Sequence, residues 1–409
     1  MEGYCIWFTE NALNKLLDSG FQSKELREEL KGETSITIAG TSVDVFWEVT
    51  QAPSADFGDI DQSKETMNEA GEPLAIESNM FVISATASLG VKDGNASELP
   101  LVLVANPFIN PDRSVAFRMV GLQMHDSYTG SDKAIIRGVC PNLLAAINAA
   151  LGFGEGKSPR VISLTFLTEL GISLGPEYGI VRFPRQIGIW GSDGFKDMAT
   201  AIPDGEDIGV VMTGGLCETV ITNQFKKYVG WTYNINTSVD CGIVTEYATG
   251  NLIVQNISCN AVKGNEALIG ISPMLSLAIT NKSPFIPDFH FDIVFKPLPI
   301  QAVTRFAIGG SKISIAIEDI EHFEVELKGK DSGILGLYEE LVKKISSYFS
   351  DYITNKIREE CHFRADIMIP DTTISTGIAS LNASLTDYQG TSSDNLQYIY
   401  AKLNVGLNE

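Results

Sequence analysis

Basic residues are scarce in this chain of 409 residues: 30 Lys and Arg stand against 51 Asp and Glu, a formal net charge of −21 at pH 7. The tight basic clusters are Lys226-Lys227 and Lys343-Lys344. Nucleic-acid binding needs a basic face that neutralises phosphates, so the composition argues against that class. The same charge favours solubility and opposes non-specific attachment to polyanions. Long hydrophobic runs are missing too. A membrane-crossing helix needs about 18 or more apolar residues in a row, and the best stretch, "NLLAAINAALGFG", is too short. The N-terminus lacks a basic region followed by an apolar core and a small-residue cleavage site. The expectation is a chain made in the cytoplasm, with any export by a leaderless route or with a partner's help.

Histidine and cysteine are sparse and scattered. The four histidines are His125, His290, His322 and His362; the cysteines are Cys5, Cys140, Cys217, Cys241, Cys259 and Cys361. No CxxC, HxH or HExxH spacing occurs, so a structural zinc site would need ligands gathered from afar. The cysteines read as reduced, core-filling thiols. The stretch "GIWGSDG" reads as a flexible loop, and no cofactor motif emerges.

Two near-motifs fail where their chemistry is decided. "LGFGEGKS" (Leu151 to Ser158) approaches a phosphate-binding loop but has Leu where the first Gly belongs. It also follows a helix and precedes a strand, the reverse of the required order. "DIDQSKE" (Asp59 to Glu65) begins like a calcium loop, yet Lys64 takes the sixth position and Ala70 the twelfth, where Gly and Glu are required. An acidic surface loop is the plainer reading. His322 in "EDIEHFEVE" reads as part of an alternating strand with a solvated acidic face. The sequons at Asn95, Asn236, Asn256, Asn281 and Asn382 carry little without a secretory signal.

What is present is apolar material, 44% of the residues, with a mean hydropathy of +0.07. "TENALNKLLDSG" has helical spacing, with Leu13, Leu16 and Leu17 on one face and Thr9 or Asn11 as cap. "SKELREELKG" is a charged second helix. Alternating, β-rich segments follow: "TSITIAGTSVDVFWEVT", "NMFVISATASLGV", "LPLVLVA" and "SVAFRMVGLQM". "PNLLAAINAALGFG" returns to helical spacing, with Leu143, Leu144, Ile147 and Leu151 aligned. Strands are expected at "RVISLTFLTELGISL" and "GIVRFP". The stretch 191–209 reads as a Gly/Asp-rich linker. The second half repeats the order: a helix at "TVITNQFKKYVG", strands from "WTYNINTSVDCGIVTEYAT" to "KISIAIEDIEHFEVELK", a long helix at 333–360, then "FRADIMIP" and "LQYIYAKLNV". In the long helix Leu337, Leu341, Ile345, Tyr348, Phe349, Tyr352 and Ile353 recur at three and four residues, a continuous apolar stripe. A helix of that extent runs about 40 Å and needs a long apolar counter-surface.

Gly3/Gly215, Cys5/Cys217, Asn11/Asn223 and Lys15/Lys227 match at one offset, and "TSVD" recurs at 41–44 and 237–240. The repeated element order carries more weight than these identities. The expectation is two copies of one α+β unit, residues 1–207 and 208–409.

That pattern resembles the tubular lipid-binding (TULIP) superfamily. In it, a long helix lies in a strongly twisted antiparallel sheet, and two such units join in tandem. The opening "GYCIWFTENALNKLL" and the strand Trp47 to Thr50 are similar to the 47-kilodalton accessory and OrfX proteins of botulinum neurotoxin gene clusters. This chain has Tyr4-Cys5-Ile6-Trp7 where that family opens Tyr-Gly-Trp. The resemblance implies a non-catalytic protein that binds lipid or another long apolar molecule, with a toxin or related accessory protein as a further partner. Leu13, Leu17, Leu144, Ile147, Leu337, Leu341, Ile345, Phe349 and Ile353 would then line the grooves. No catalytic residue, metal or cofactor is expected. The alternative is an interaction protein of the same fold with closed grooves.

Overall fold

The computed structural model describes residues 3–38, 40–92, 94–110, 114–151, 153, 162–163, 178–191, 202–240, 245–283, 288–329, 339–368, 379–391 and 396–407. Leu337, Cys241, most of "LGFGEGKS" and most of "RVISLTFLTELGISL" lie outside them, as does the greater part of the stretch 191–209. The architecture is α+β and mostly antiparallel, with two strongly curled sheets that each carry helices. Two compact units divide the chain. One gathers Met1–Met212, Ile369–Asp387 and Tyr398–Glu409; the other gathers Thr213–Met368 and Tyr388–Gln397.

The first unit's curled sheet runs Lys31–Ile38, Thr41–Val49, Phe81–Val91, Ala96–Ile109, Ser114–Gln123 and Thr66–Asn68, with two short strands off this path. Alternation sets its faces: Phe81, Ile83, Ala85, Ala87 and Leu89 are buried while residues between them are more exposed, as a period of two requires. The helix Gly130–Ala150 packs on it with Ile136, Val139, Cys140, Leu143 and Leu144 fully buried. This helix begins eleven residues before the Pro141 at which the apolar spacing starts. The reason is local. Thr129 accepts from the Asp132 N–H while the Asp132 carboxylate accepts from the Thr129 N–H, a reciprocal capping box that starts the helix early. Pro141 is then carried inside it, at a cost that tertiary burial offsets. Thr129→Ala is expected to lower stability by about 1 kcal/mol, read as a lower urea midpoint with an unchanged slope.

A six-stranded sheet, not anticipated from the sequence, belongs mainly to the same unit. Its order is Tyr178–Phe183, Gln186–Gly191, Tyr4–Thr9, Ile208–Thr213, Leu396–Leu407 and Ala379–Thr391. Tyr4–Thr9 pairs antiparallel with both neighbours. The segment read as the loop "GIWGSDG" is therefore, in its described part, a strand. Its glycines are spacers: a Cβ on Gly188 would sit 2.3 Å from the Trp7 ring, and one on Gly191 would sit 2.4 Å from that of Tyr4.

Each half opens with the same device, a strand that delivers a threonine cap to a helix. Thr9 caps Glu10–Gln22 and Thr213 caps Gly214–Phe225. The sequence identities do not follow this equivalence. Cys5 lies in a strand and Cys217 in a helix. "TSVD" starts the strand Thr41–Val49 but ends Thr232–Asp240. Those matches are coincidental.

In the first unit, Asp207 is fully buried. Lys15 Nζ lies 2.6 Å from its carboxylate, Asn11 Nδ2 donates at 2.7 Å and the Leu403 N–H at 2.8 Å. Asn11 and Lys15 stand one helical turn apart, so both reach the same carboxylate. Asn11 thus ties the opening helix to this acid, and Thr9 takes the cap.

The second unit's curled sheet runs Thr232–Asp240, Thr245–Lys263, Glu266–Asn281, Ile300–Gly309, Lys312–Ile320 and Arg364–Met368. Phe289–Lys296 branches from Glu266–Asn281 and pairs with Glu324–Gly329. Among the described residues no helix is long and apolar enough to cross a membrane.

Candidate functional site: a polar cleft along the long helix

The described long helix is Glu339–Glu360. Ile345, Phe349, Ile353 and Ile357 are at most 1% exposed and form its inner side. Leu341, expected with them, is only half-buried, because the stripe runs out toward the helix start. The two flanks beside the stripe differ. On one, Tyr348 and Tyr352 stack with ring centroids 6.5 Å apart, and the Tyr348 hydroxyl donates to the Ser238 carbonyl at 3.4 Å. Trp231 and Tyr233 stack alongside, and Tyr233 hydrogen-bonds Tyr352. That flank is seated on aromatic rings.

From Ser346 onward the other flank is polar. One step round from the buried stripe stand Ser346, Ser350, Thr354 and Arg358; outside them stand Ser347, Asp351 and Asn355. This flank and the strand Glu324–Gly329 enclose a cleft of about 940 Å³. The two walls touch where the Ser350 hydroxyl donates to the Val325 carbonyl at 2.9 Å. Thr354 turns its hydroxyl back to the Ser350 carbonyl at 2.8 Å. Lys296, on the neighbouring strand, lies 2.6 Å from Glu326. That hydrogen bond holds the Glu326 carboxyl below its ordinary range and raises Lys296. His322, Glu324, Asp351, Asn355 and Arg358 line the cleft as exposed side chains, with no hydrogen bond or ion pair to another described residue. His322 falls between the strands Lys312–Ile320 and Glu324–Gly329; the alternation expected around it holds only from Glu324 onward.

Four of the expected groove residues are brought together in the first unit. Leu13, Leu144 and Ile147 are buried in one apolar cluster, and Leu17 packs against it. Leu13 also borders an apolar crevice with Leu16, Phe57, Phe117 and Ile187, of only about 10 Å³, room for about one water. A second open cavity of about 760 Å³ lies at the start of the opening helix. It includes Glu10, Asp204 and Glu206, with Arg185 at a φ of 66°. The loop 59–65 is an exposed surface loop held by ion pairs: Lys64 with Asp126 at 2.8 Å, and Glu65 with Arg137 at 2.7 Å. The described cysteines are buried and free. Burial pushes the thiols of Cys140, Cys217, Cys259 and Cys361 up to about 12, and Cys5 higher still.

A helix laid on a strongly curled antiparallel sheet, present in each unit, defines the class. Among solved structures the chain is similar to P47 of Clostridium botulinum E1, at 10% identity over 98% of this chain and 99% of that one, with a TM-score of 0.49. It is also similar to P47 from Clostridium botulinum A2, at 10% identity over 98% and 97%, with a TM-score of 0.44. The resemblance read from the sequence names the same group. No family model and no curated protein matches the chain.

Proposed function

We propose that this chain is a non-catalytic binding protein that works through its surface, with its apolar stripes packed as dry core. The carrying observation is the burial of Ile345, Phe349 and Ile353, at 0%, 0% and 1% exposure. Side chains lining a ligand groove would keep a face toward that groove; these are enclosed by protein. The open volume lies beside polar groups instead. Thiols held near 12 in the core are unsuited to nucleophilic work. The sequence resemblance adds the setting: an accessory of a bacterial toxin system, engaged through protein contacts.

Lipid carriage is the second reading, favoured by the wholly apolar lining of the crevice at Leu13. At about 10 Å³ it takes no acyl chain unless the opening helix moves off its sheet. Native mass spectrometry of the purified chain, with solvent extraction of the same sample, separates the two. The bare mass is expected. A co-purifying acyl lipid at stoichiometric level would overturn the surface reading.

A further inference from the structure

We infer that the cleft along the long helix receives an extended polypeptide segment with a basic side chain near its middle. This rests on the reading that the protein acts through its surface, and it names the partner's chemistry.

Dimensions come first. From Ser346 to Arg358 the helix wall covers a little over three turns, about 18 Å at 1.5 Å per residue. An extended chain rises about 3.3 Å per residue, so the wall matches roughly five residues of strand. The opposite wall suits a backbone. Among the described residues, Glu324–Gly329 pairs along one edge only, with Phe289–Lys296. Its other edge turns toward the helix, because the Val325 carbonyl meets Ser350 there. In an antiparallel ladder a residue's N–H and C=O point the same way and alternate residues share a side. Leu327 therefore offers its N–H and C=O along the same edge. The serine hydroxyls of the helix wall add groups that both donate and accept. A polypeptide backbone, with donors and acceptors in regular alternation, fits such a lining.

Charge then selects the side chain. Glu326 is paired with Lys296. Lys296 also feels Glu324, its partner across the ladder, so one cation faces two carboxylates and the strand wall stays net negative, while Asp351 on the helix wall makes no hydrogen bond or ion pair to another described residue. A lysine or arginine between the walls gains from both, whereas an acidic residue there is repelled. Arg358 stands two turns beyond Asp351, about 10 Å along the helix. It would meet an acidic group or chain terminus further along the segment. A phosphate-rich or sulfated ligand is disfavoured by the same carboxylates. A neutral saccharide would leave them unused.

The test uses the full chain and two blocked seven-residue Ser/Ala peptides, one with Lys at its centre and one with Glu, read by fluorescence anisotropy. The Lys peptide is expected to bind at least tenfold tighter than the Glu peptide. The double variant Glu324→Gln/Asp351→Asn should lose about tenfold of that affinity. Asp351→Lys should reverse the preference. Both positions are exposed, and circular dichroism confirms that the variants fold. Equal binding of the two peptides, no binding up to millimolar concentration, or a preference untouched by the variants would overturn the inference. So would displacement of the Lys peptide by maltohexaose or by phosphatidylglycerol vesicles in preference to a second, unlabelled Lys peptide. A chain that purifies without lipid yet ignores the Lys peptide loses this inference and keeps the surface reading. A lipid-loaded chain loses the surface reading whatever the peptides do.

Discussion

Asp207→Ala is expected to remove about 2–4 kcal/mol from the first unit, because it strands a buried backbone amide and the Asn11 side chain, at about 1–3 kcal/mol for each buried polar group left unpaired. The carboxylate is fully buried and faces three donors: Lys15, Asn11 and the Leu403 N–H. Alanine leaves all three aimed at a void. The Leu403 amide sits in a strand and cannot turn away, so it keeps its full desolvation penalty. Lys15 is partly exposed, with 40% of its side chain accessible, and can swing into water. The loss should therefore fall mostly on the amide and on Asn11. Asp207→Asn retains one acceptor oxygen but puts an amide NH2 beside an ammonium, so it should recover only part of the stability. Lys15→Met should cost at least as much as Asp207→Asn, since it leaves a fully buried carboxylate with neutral donors only. Urea titrations of the full chain should show this order. Trp7, Trp47 and Trp190 report on the first unit and Trp231 on the second. An Asp207→Ala chain with an unchanged first transition would show that the network is incidental.

How much of this was legible before the fold was known depends on the range of the interaction. Phe81–Val91 and Thr41–Val49 show in the sequence because a half-buried strand alternates. The stripe at Ile345, Phe349 and Ile353 shows because one helix face is buried along its length. Tyr4–Thr9 hides for the opposite reason. It is a central strand with Tyr4, Cys5, Ile6 and Trp7 all buried, so it has no alternation, and its run of apolar residues reads as the lead into a helix. Gln186–Gly191 hides because its glycines suggest a loop, when they instead clear space for Trp7 and Tyr4. Nothing local tells Leu396–Leu407 which sheet to join. Its Leu403 reaches Asp207 across 196 positions, and pairing of that kind is invisible to spacing.

The cleft was half legible. Its floor beside the stripe, Ser346, Ser350 and Thr354, is written in the helix, but hydroxyl residues there look like an ordinary solvated face. Its other wall depends on Phe289–Lys296 pairing with Glu324–Gly329, a branch off the main sheet path. Without that branch, Glu324 and Asp351 are only two acidic residues well separated in sequence. A single polar flank becomes a cleft only once the second wall is in place.

Ile345→Glu is expected to unfold the second unit, and it is the variant that separates dry core from lipid groove most sharply. Ile345 is fully buried. A carboxylate there must either stay charged without a partner or take up a proton, and both cost several kcal/mol. That is a large part of the 5–15 kcal/mol that holds a typical domain together. Ser347→Glu, two residues along on the exposed side, adds the same charge in water and should change stability by no more than about 0.5 kcal/mol. The pair thus controls for net charge and helix propensity together. If the stripe instead lined a loaded groove, Ile345→Glu would leave a folded unit and reduce what it carries. Binding in the unmodified chain would then tighten with acyl length, by about 0.8 kcal/mol for each methylene buried, and would respond little to salt. The measurement is far-ultraviolet circular dichroism with Trp231 fluorescence through a urea series. Loss of the second transition in Ile345→Glu, with Ser347→Glu unchanged, is the result expected of a stripe that holds the fold together. A folded Ile345→Glu chain with reduced lipid content would place the function in the interior and not in the cleft.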